Sequence, residues 1–281
     1  MKLIHTSLFY LLTLLLFMGC NASHREAMEL YTRAEQALSH KDYNRAQQLL
    51  DSIPIVAPQA TSYIRRGIEL NQRVILERNL GNIAYIDSIL PEMRAQEQAL
   101  RSAFIAIQNP EYHDDTIYIH RDADHTAFRS HLRIEMTATG EVRLHSVYYG
   151  KEALNHTSAK IEHPDGTYAL TPTIPYDSAQ NHRFVLPDGT HCEMVCYRNY
   201  EIRPVIEALG SGGNKTIKIL YAGDRPYSYI LSESDREIFK TFYQYIFLHH
   251  TIDRIEKNRE YLQRSVDLIT SRHNLPTNTP E

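Results

Sequence analysis

The spacing of apolar residues changes its period twice along this chain, and that succession limits the fold more than any other feature. Between residues 24 and 107 apolar side chains recur every three to four positions, the pattern of helices buried along one face. From Thr116 to Leu231 the period falls to two, as in strands with one buried face. From Ser234 to about Arg272 the helical period returns. Strands gathered in one block, rather than alternating with helices, predict an α+β fold with an antiparallel β domain inserted before a long C-terminal helix.

In the first block Leu30, Ala34, Ala37 and Leu38 share one face. After Lys41-Asp42-Tyr43 come Ala46, Leu49, Leu50 and Ile53. This pattern resembles a single tetratricopeptide-type hairpin, in which small Ala residues let two helices approach closely. Pro54 and Pro58 predict its end. A third helix is expected from Thr61, with Leu76, Ile83, Ile86, Leu90, Met93, Leu100, Phe104 and Ile107 forming a heptad-like stripe. Pro91 within it predicts a kink or break.

The last helix should open with a capping box of Ser234 and Glu237. It carries a second seam, with Tyr245, Ile252, Arg259 and Val266 on one line and Leu248, Ile255, Leu262 and Ile269 on the next. Two such seams predict that the helix after Pro91 packs antiparallel on the C-terminal helix. Leu100, Phe104 and Ile107 should then lie near Tyr245, Leu248 or Ile252, with Arg259 facing Glu97 or solvent. Failing that, the seams would serve a coiled-coil dimer.

The middle block reads as eight or nine short strands. Leu132, Ile134 and Met136 alternate with His131, Arg133 and Glu135, and Ile217, Ile219 and Tyr221 with Thr216, Lys218 and Leu220. Ala138-Thr139-Gly140, Pro164-Asp165-Gly166 and Pro187-Asp188-Gly189 each place Gly where a three-residue hairpin loop needs positive φ. These loops set Glu135 opposite Arg143, Ile134 opposite Leu144 and Arg183 opposite Glu193. Arg203 to Leu209 reads as a short helix capped by Gly210. Cys192 and Cys196 share a strand face about 13 Å apart, too far to form a disulfide, and read as buried thiols.

At the N-terminus, Lys2 precedes an eleven-residue apolar run from Leu8 to Met18, interrupted only by Thr13. That is shorter than the roughly 20 residues needed to span a bilayer, so residues 1–19 read as a secretory signal. Phe17-Met18-Gly19-Cys20 resembles the lipobox of bacterial lipoproteins, departing from it at Phe17, where that pattern usually has Leu. The resemblance implies cleavage before Cys20 and acylation of its sulfur. Asn21 is not the Asp of an inner-membrane retention signal, so the expected address is the cell envelope, with a lipid anchor in the outer membrane facing the periplasm. The expected organisation is signal 1–19, helical hairpin and stalk 20–110, β domain 111–232, C-terminal helix 233–273 and tail 274–281.

The formal net charge is −4 and no local basic patch compensates, which excludes a nucleic-acid binder driven by phosphate neutralisation. The densest polar cluster runs from His113-Asp114-Asp115 to His120-Arg121-Asp122-Ala123-Asp124-His125. Its spacing fits no helix face, and Arg121 opposes a cation, so no metal is expected. Gly210 to Thr216 lacks the Gly before Lys215 that a phosphate loop needs, and it precedes a strand rather than a helix. No cofactor is expected.

Finally, the run through Tyr148-Tyr149-Gly150, Leu154-Asn155-His156-Thr157-Ser158, Thr171 to Asp177 and Tyr227-Ser228-Tyr229 resembles a group of uncharacterised bacterial envelope lipoproteins. The resemblance implies the architecture and the address and carries no activity. With no nucleophile–base constellation evident, the expected role is non-catalytic: a binding or scaffold module held at the membrane through Cys20. A protein partner would sit on the helical hairpin or the coiled-coil seam. The alternative is an envelope glycan-binding protein or hydrolase using β-domain loops. Tyr149, Asn155, His156, Tyr176 and Asp177 are the ligand-binding residues expected on that loop region. Convergent acids near Asp165, Asp177 or Asp188 would favour the hydrolase.

Overall fold

The computed structural model describes residues 23–108, 116–124, 128–138, 140–177, 179–198, 200–211 and 216–273. The signal, Cys20, Thr139, His113 to Asp115, His125, Asn214, Lys215 and the tail lie outside the described residues. The architecture is α+β and divides into two units, residues 1–91 with 253–281, and residues 92–252. Both divisions fall inside long helices rather than at their ends.

The first unit is helical. Residues 23–39 form α1, and α2 spans Tyr43–Val56. Between them Lys41 adopts φ 58°, and the Asp42 side chain caps α2 by accepting the Arg45 N–H at 3.0 Å. Ala27, Ala34, Ala46 and Ile53 are fully buried in the unit's core. Contrary to the sequence expectation, α2 continues past Pro54 to Val56. Helix α3 (Thr61–Arg101) is likewise unbroken at Pro91. Pro91 and Asp87, whose carbonyl loses its helical donor, are both exposed, so water can solvate the freed oxygen.

Helix α5 spans Glu233–His273, about 60 Å at ~1.5 Å per residue. Within the first unit its C-terminal part runs antiparallel to α3. Asn79 donates to Ser265 Oγ at 3.0 Å, and Arg259 grips the Asp87 carboxylate at 2.5 and 3.0 Å. Arg259 therefore meets neither Glu97 nor bulk water alone. Leu262, Val266, Ile83 and Ile86 are buried within the chain. Among the described residues no helix is long and apolar enough to cross a membrane.

The second unit holds two antiparallel sheets. The six-stranded sheet has the order β1 (Phe104–Ile107), β2 (Ile117–His120), β3 (His131–Thr137), β4 (Val142–Gly150), β8 (His191–Arg198) and β7 (Asn181–Val185). The four-stranded sheet has the order β10 (Tyr227–Ile230), β9 (Lys218–Ala222), β5 (Ser158–Glu162) and β6 (Tyr168–Leu170). Among the described residues nine strands fall between Thr116 and Leu231, within the expected eight or nine, and β1 precedes that block where helix was expected. Gly140, Gly166 and Gly189 take φ of 83–84° in the three predicted loops.

The expected registers are present: Ile134 opposes Leu144, Glu135 opposes Arg143 and Arg183 opposes Glu193. The ion pairs differ. Arg143 turns to Glu141 at 3.0 Å, while Glu135 takes His145 and Glu193 takes His156.

The helix after Pro91 stops at Arg101 rather than continuing to Ile107, and Phe104 begins β1. Alternation along that strand turns Phe104 inward, 4.6 Å from the Phe242 ring and 5.2 Å from Tyr245, and leaves Ile107 exposed. Glu97 meets His249 at 2.6 Å. Helix α5 is capped by Ser232, which accepts the Asp235 N–H, rather than by Ser234. Helix α4 (Arg203–Ser211) includes Gly210, where a Cβ would lie 2.2 Å from that of Tyr243. Close helix approach, not capping, explains that glycine.

Candidate functional site

Alternation along β8 places Glu193 in line with Val195 and Tyr197, on the face turned to the apolar core. A carboxylate so buried needs several donors. The chain leaving β4 supplies them. Leu154 and Asn155 donate backbone N–H to Glu193 Oε1 at 2.6 and 2.7 Å, and His156 donates its N–H to Oε2 at 2.9 Å. His156 Nδ1 adds a fourth contact at 2.8 Å.

Asn155 takes φ 55°, a left-handed conformation open to Asn, which lets consecutive N–H groups converge as an anion nest. Gly223 lets the loop descend this far, since a Cβ there would stand 2.2 Å from Leu154 O. Burial pushes the Glu193 carboxyl up, but the His156 ring and the three N–H groups outweigh it and hold the group at about 2.

From His156 the contacts continue inward. Its Nε2 lies 2.8 Å from Ser146 Oγ, which lies 2.9 Å from Tyr197 OH. The ring stacks on Tyr221 at 4.8 Å. Burial pushes the Tyr197 phenol up to about 12. Ser146, His156 and Glu193 follow one another in the order of a hydrolytic triad, yet Ser146 and His156 are both 0% exposed. A nucleophile needs a substrate beside it. Sealed in the core and held by Tyr197, Ser146 instead locks the loop to the sheet.

The outer side of this loop carries the surface cluster. Asn155 Nδ2 donates to Asp224 at 2.7 Å, and its Oδ1 accepts from Arg183 at 3.0 Å. Arg183 lies 4.9 Å over the ring of Tyr176, which is 58% exposed. Asn181 ties this cluster to the loop by donating to His156 O and Ile174 O. Arg225 braces the other flank, pairing with Glu152 and donating to Ala153 O.

Of the five expected binding residues, Asn155 and Tyr176 thus meet through Arg183 at the surface, and His156 lies beneath them. Asp177 follows Tyr176 but accepts the N–H groups of Ala179 and Gln180, closing a turn. Tyr149 stands apart, its ring 5.8 Å from Phe128 and its phenol pushed up by burial. Asp165 and Asp188 each accept the backbone N–H two residues on. The three loop acids are spent on turns and do not converge.

Sequence reasoning placed Arg183 and Glu193 only as a cross-strand pair, with no part in the site, and missed Asp224. The signal for Glu193 was a charged residue at an inward position of an alternating strand. Arg183 and Asp224 gave none, since only the folded loop brings them to Asn155. In the His/Asp cluster, His120 is buried, which lowers its pKa, and its Nδ1 accepts the Asp122 N–H at 3.2 Å. Among the described residues no group of His, Cys, Asp or Glu is arranged to hold a metal ion. No family model, curated protein or solved structure matches this chain.

Proposed function

We propose that this chain is a lipid-anchored cell-envelope protein, tethered through Cys20, whose β unit is a non-catalytic binding module for hydroxyl-rich envelope glycan. The observation that carries this reading is the fixed cluster of Tyr176, Arg183, Asn155 and Asp224. It sets an exposed aromatic ring beside an amide, a guanidinium and a carboxylate. An aromatic face packs against sugar C–H groups, and the planar polar groups pair with hydroxyls. The hydrolase alternative loses support because the loop acids close turns and the Ser146–His156–Glu193 relay is sealed.

Sedimentation of the purified full chain with isolated envelope glycan tests the binding role. Changing Asn155 and Arg183 together to Ala is expected to weaken binding at least tenfold, at about 1.4 kcal/mol per tenfold, without releasing sugar. Unchanged binding, or glycan turnover by the wild type, would overturn it. For the anchor, Cys20→Ala should move the protein from the membrane fraction to soluble or uncleaved material. Wild-type protein cut elsewhere than Gly19–Cys20 would sink that assignment.

A further inference from the structure

Register sets Arg183 opposite Glu193 on one face of the sheet, a pair that would ordinarily neutralise itself across the strands. The nest has taken that carboxylate, which is spent on His156 and on the N–H groups of the loop. Arg183 is left with neutral partners. Its Nε donates to Asn181 Oδ1 at 3.3 Å and its Nη1 to Asn155 Oδ1 at 3.0 Å, while the Tyr176 ring covers one face of the guanidinium at 4.9 Å. Among the described residues no carboxylate pairs with Arg183, and nothing accepts from its Nη2, which is open to solvent. The neighbouring acid Asp177 closes its own turn, and the neighbouring cation Arg225 is engaged by Glu152.

Asp224 is the mirror case. Its exposed carboxylate accepts from the neutral Asn155 amide at 2.7 Å, and among the described residues no cation pairs with it. Asn155 thus holds a guanidinium at one end of its amide and a carboxylate at the other. Two hydrogen bonds and one amide group keep these charges at most about 8 Å apart without letting them meet. The left-handed backbone of Asn155, anchored in the nest, and the fully buried Asn181 fix this spacing. The site therefore presents two unanswered charges in set positions, at a surface where Tyr176 is also exposed.

We propose that this cluster selects an acidic sugar, one that carries a carboxylate beside ring hydroxyls, as a hexuronate does. The proposal rests on the glycan-binding reading and specifies its ligand. The sugar carboxylate accepts from Nη2 and the open edge of the Arg183 guanidinium, an ionised contact stronger than one between neutral groups. Tyr176 keeps water off the covered face of that guanidinium, which strengthens the attraction. Asp224 accepts hydrogen bonds from neighbouring hydroxyls. It also excludes by charge: a phosphate brings a second negative charge that a carboxylate about 8 Å away repels, whereas a monoanionic sugar turns hydroxyls towards it. A neutral sugar leaves the Arg183 charge unanswered.

The test uses the full chain and two probes that differ in the charge of their carboxyl groups, trigalacturonate and its methyl ester. Calorimetric titration of the wild type should show the acid binding at least about tenfold more tightly than the ester, the order expected of a hydrogen bond to a charged group. Added salt should shrink the difference. Arg183→Gln should erase it. Inorganic phosphate should fail to displace the acid from the wild type and should begin to do so in Asp224→Asn. The wild-type comparison needs no variant, so it stays decisive even where a substitution disturbs folding. Equal binding of acid and ester overturns the inference and leaves the binding role standing if envelope glycan still sediments the protein. A preference that survives Arg183→Gln, displacement from the wild type by phosphate, or binding of neither probe overturns it as well. Failure of the binding role itself is read separately, from the absence of sedimentation with envelope glycan.

Discussion

Replacing Glu193 by Gln is expected to destabilise the β unit by about 3–5 kcal/mol, because a neutral amide cannot accept four converging donors and leaves buried N–H groups unpaired. Urea unfolding followed by tyrosine fluorescence would measure it. The same group fixes a pH dependence. Its carboxyl is near 4.5 when unfolded and about 2 when folded, so its pKa is depressed on folding. Its contribution, about 3 kcal/mol, is complete above the unfolded value and is lost as pH falls from about 4.5 towards 2. Glu135, held at about 2 against burial by His145 and the arginines beside it, follows the same sign. Glu193→Gln should therefore flatten the acid limb of the stability curve without abolishing it. An unchanged acid limb would show that the nest contributes nothing.

Phe242→Ala should lower stability by a similar amount, about 3–5 kcal/mol for a large buried aromatic. Phe242 is 0% exposed and meets Phe104 edge-on at 4.6 Å. Removing it strips the contact through which the first part of α5 covers the six-stranded sheet. Calorimetry should show the β unit melting about 6–20 °C lower. A drop under about 2 °C would mean that Phe239 and Tyr245 close over the gap.

What the sequence disclosed and what it hid divide along physical lines. Alternation in β3 and β4, with loop glycines at positive φ, fixed the Ile134–Leu144 register, because a one-residue slip would turn the apolar row to solvent. The end of α3 was hidden, since Leu100, Phe104 and Ile107 keep helical spacing while the chain has already entered β1. The prolines misled for different reasons: at Pro91 an exposed helix face tolerates the freed carbonyl, and Pro54 stands in the last turn of α2, two residues before its end at Val56. Asn155, His156 and Tyr176 were readable as a polar loop. Their organiser, Glu193, was not, because it lies 37 residues beyond His156 and acts only after the sheets pair.

The pairing of α3 with α5 also sets an order of events in folding. Asn79 and Ser265 are separated by 186 positions, and Asp87 and Arg259 by 172. Joining such distant segments directly costs about 4–5 kcal/mol of loop entropy, whereas each doubling of a short loop adds only ~0.6. When Glu97 has found His249 and Phe104 has found Phe242 within the β unit, the remaining stretches of both helices start from neighbouring points. They can then zip outward with almost no further closure cost. As the chain emerges N-terminus first, residues 61–91 meet their α5 partner only once the last residues appear, whereas the core from Ala27 to Val74 is complete without it.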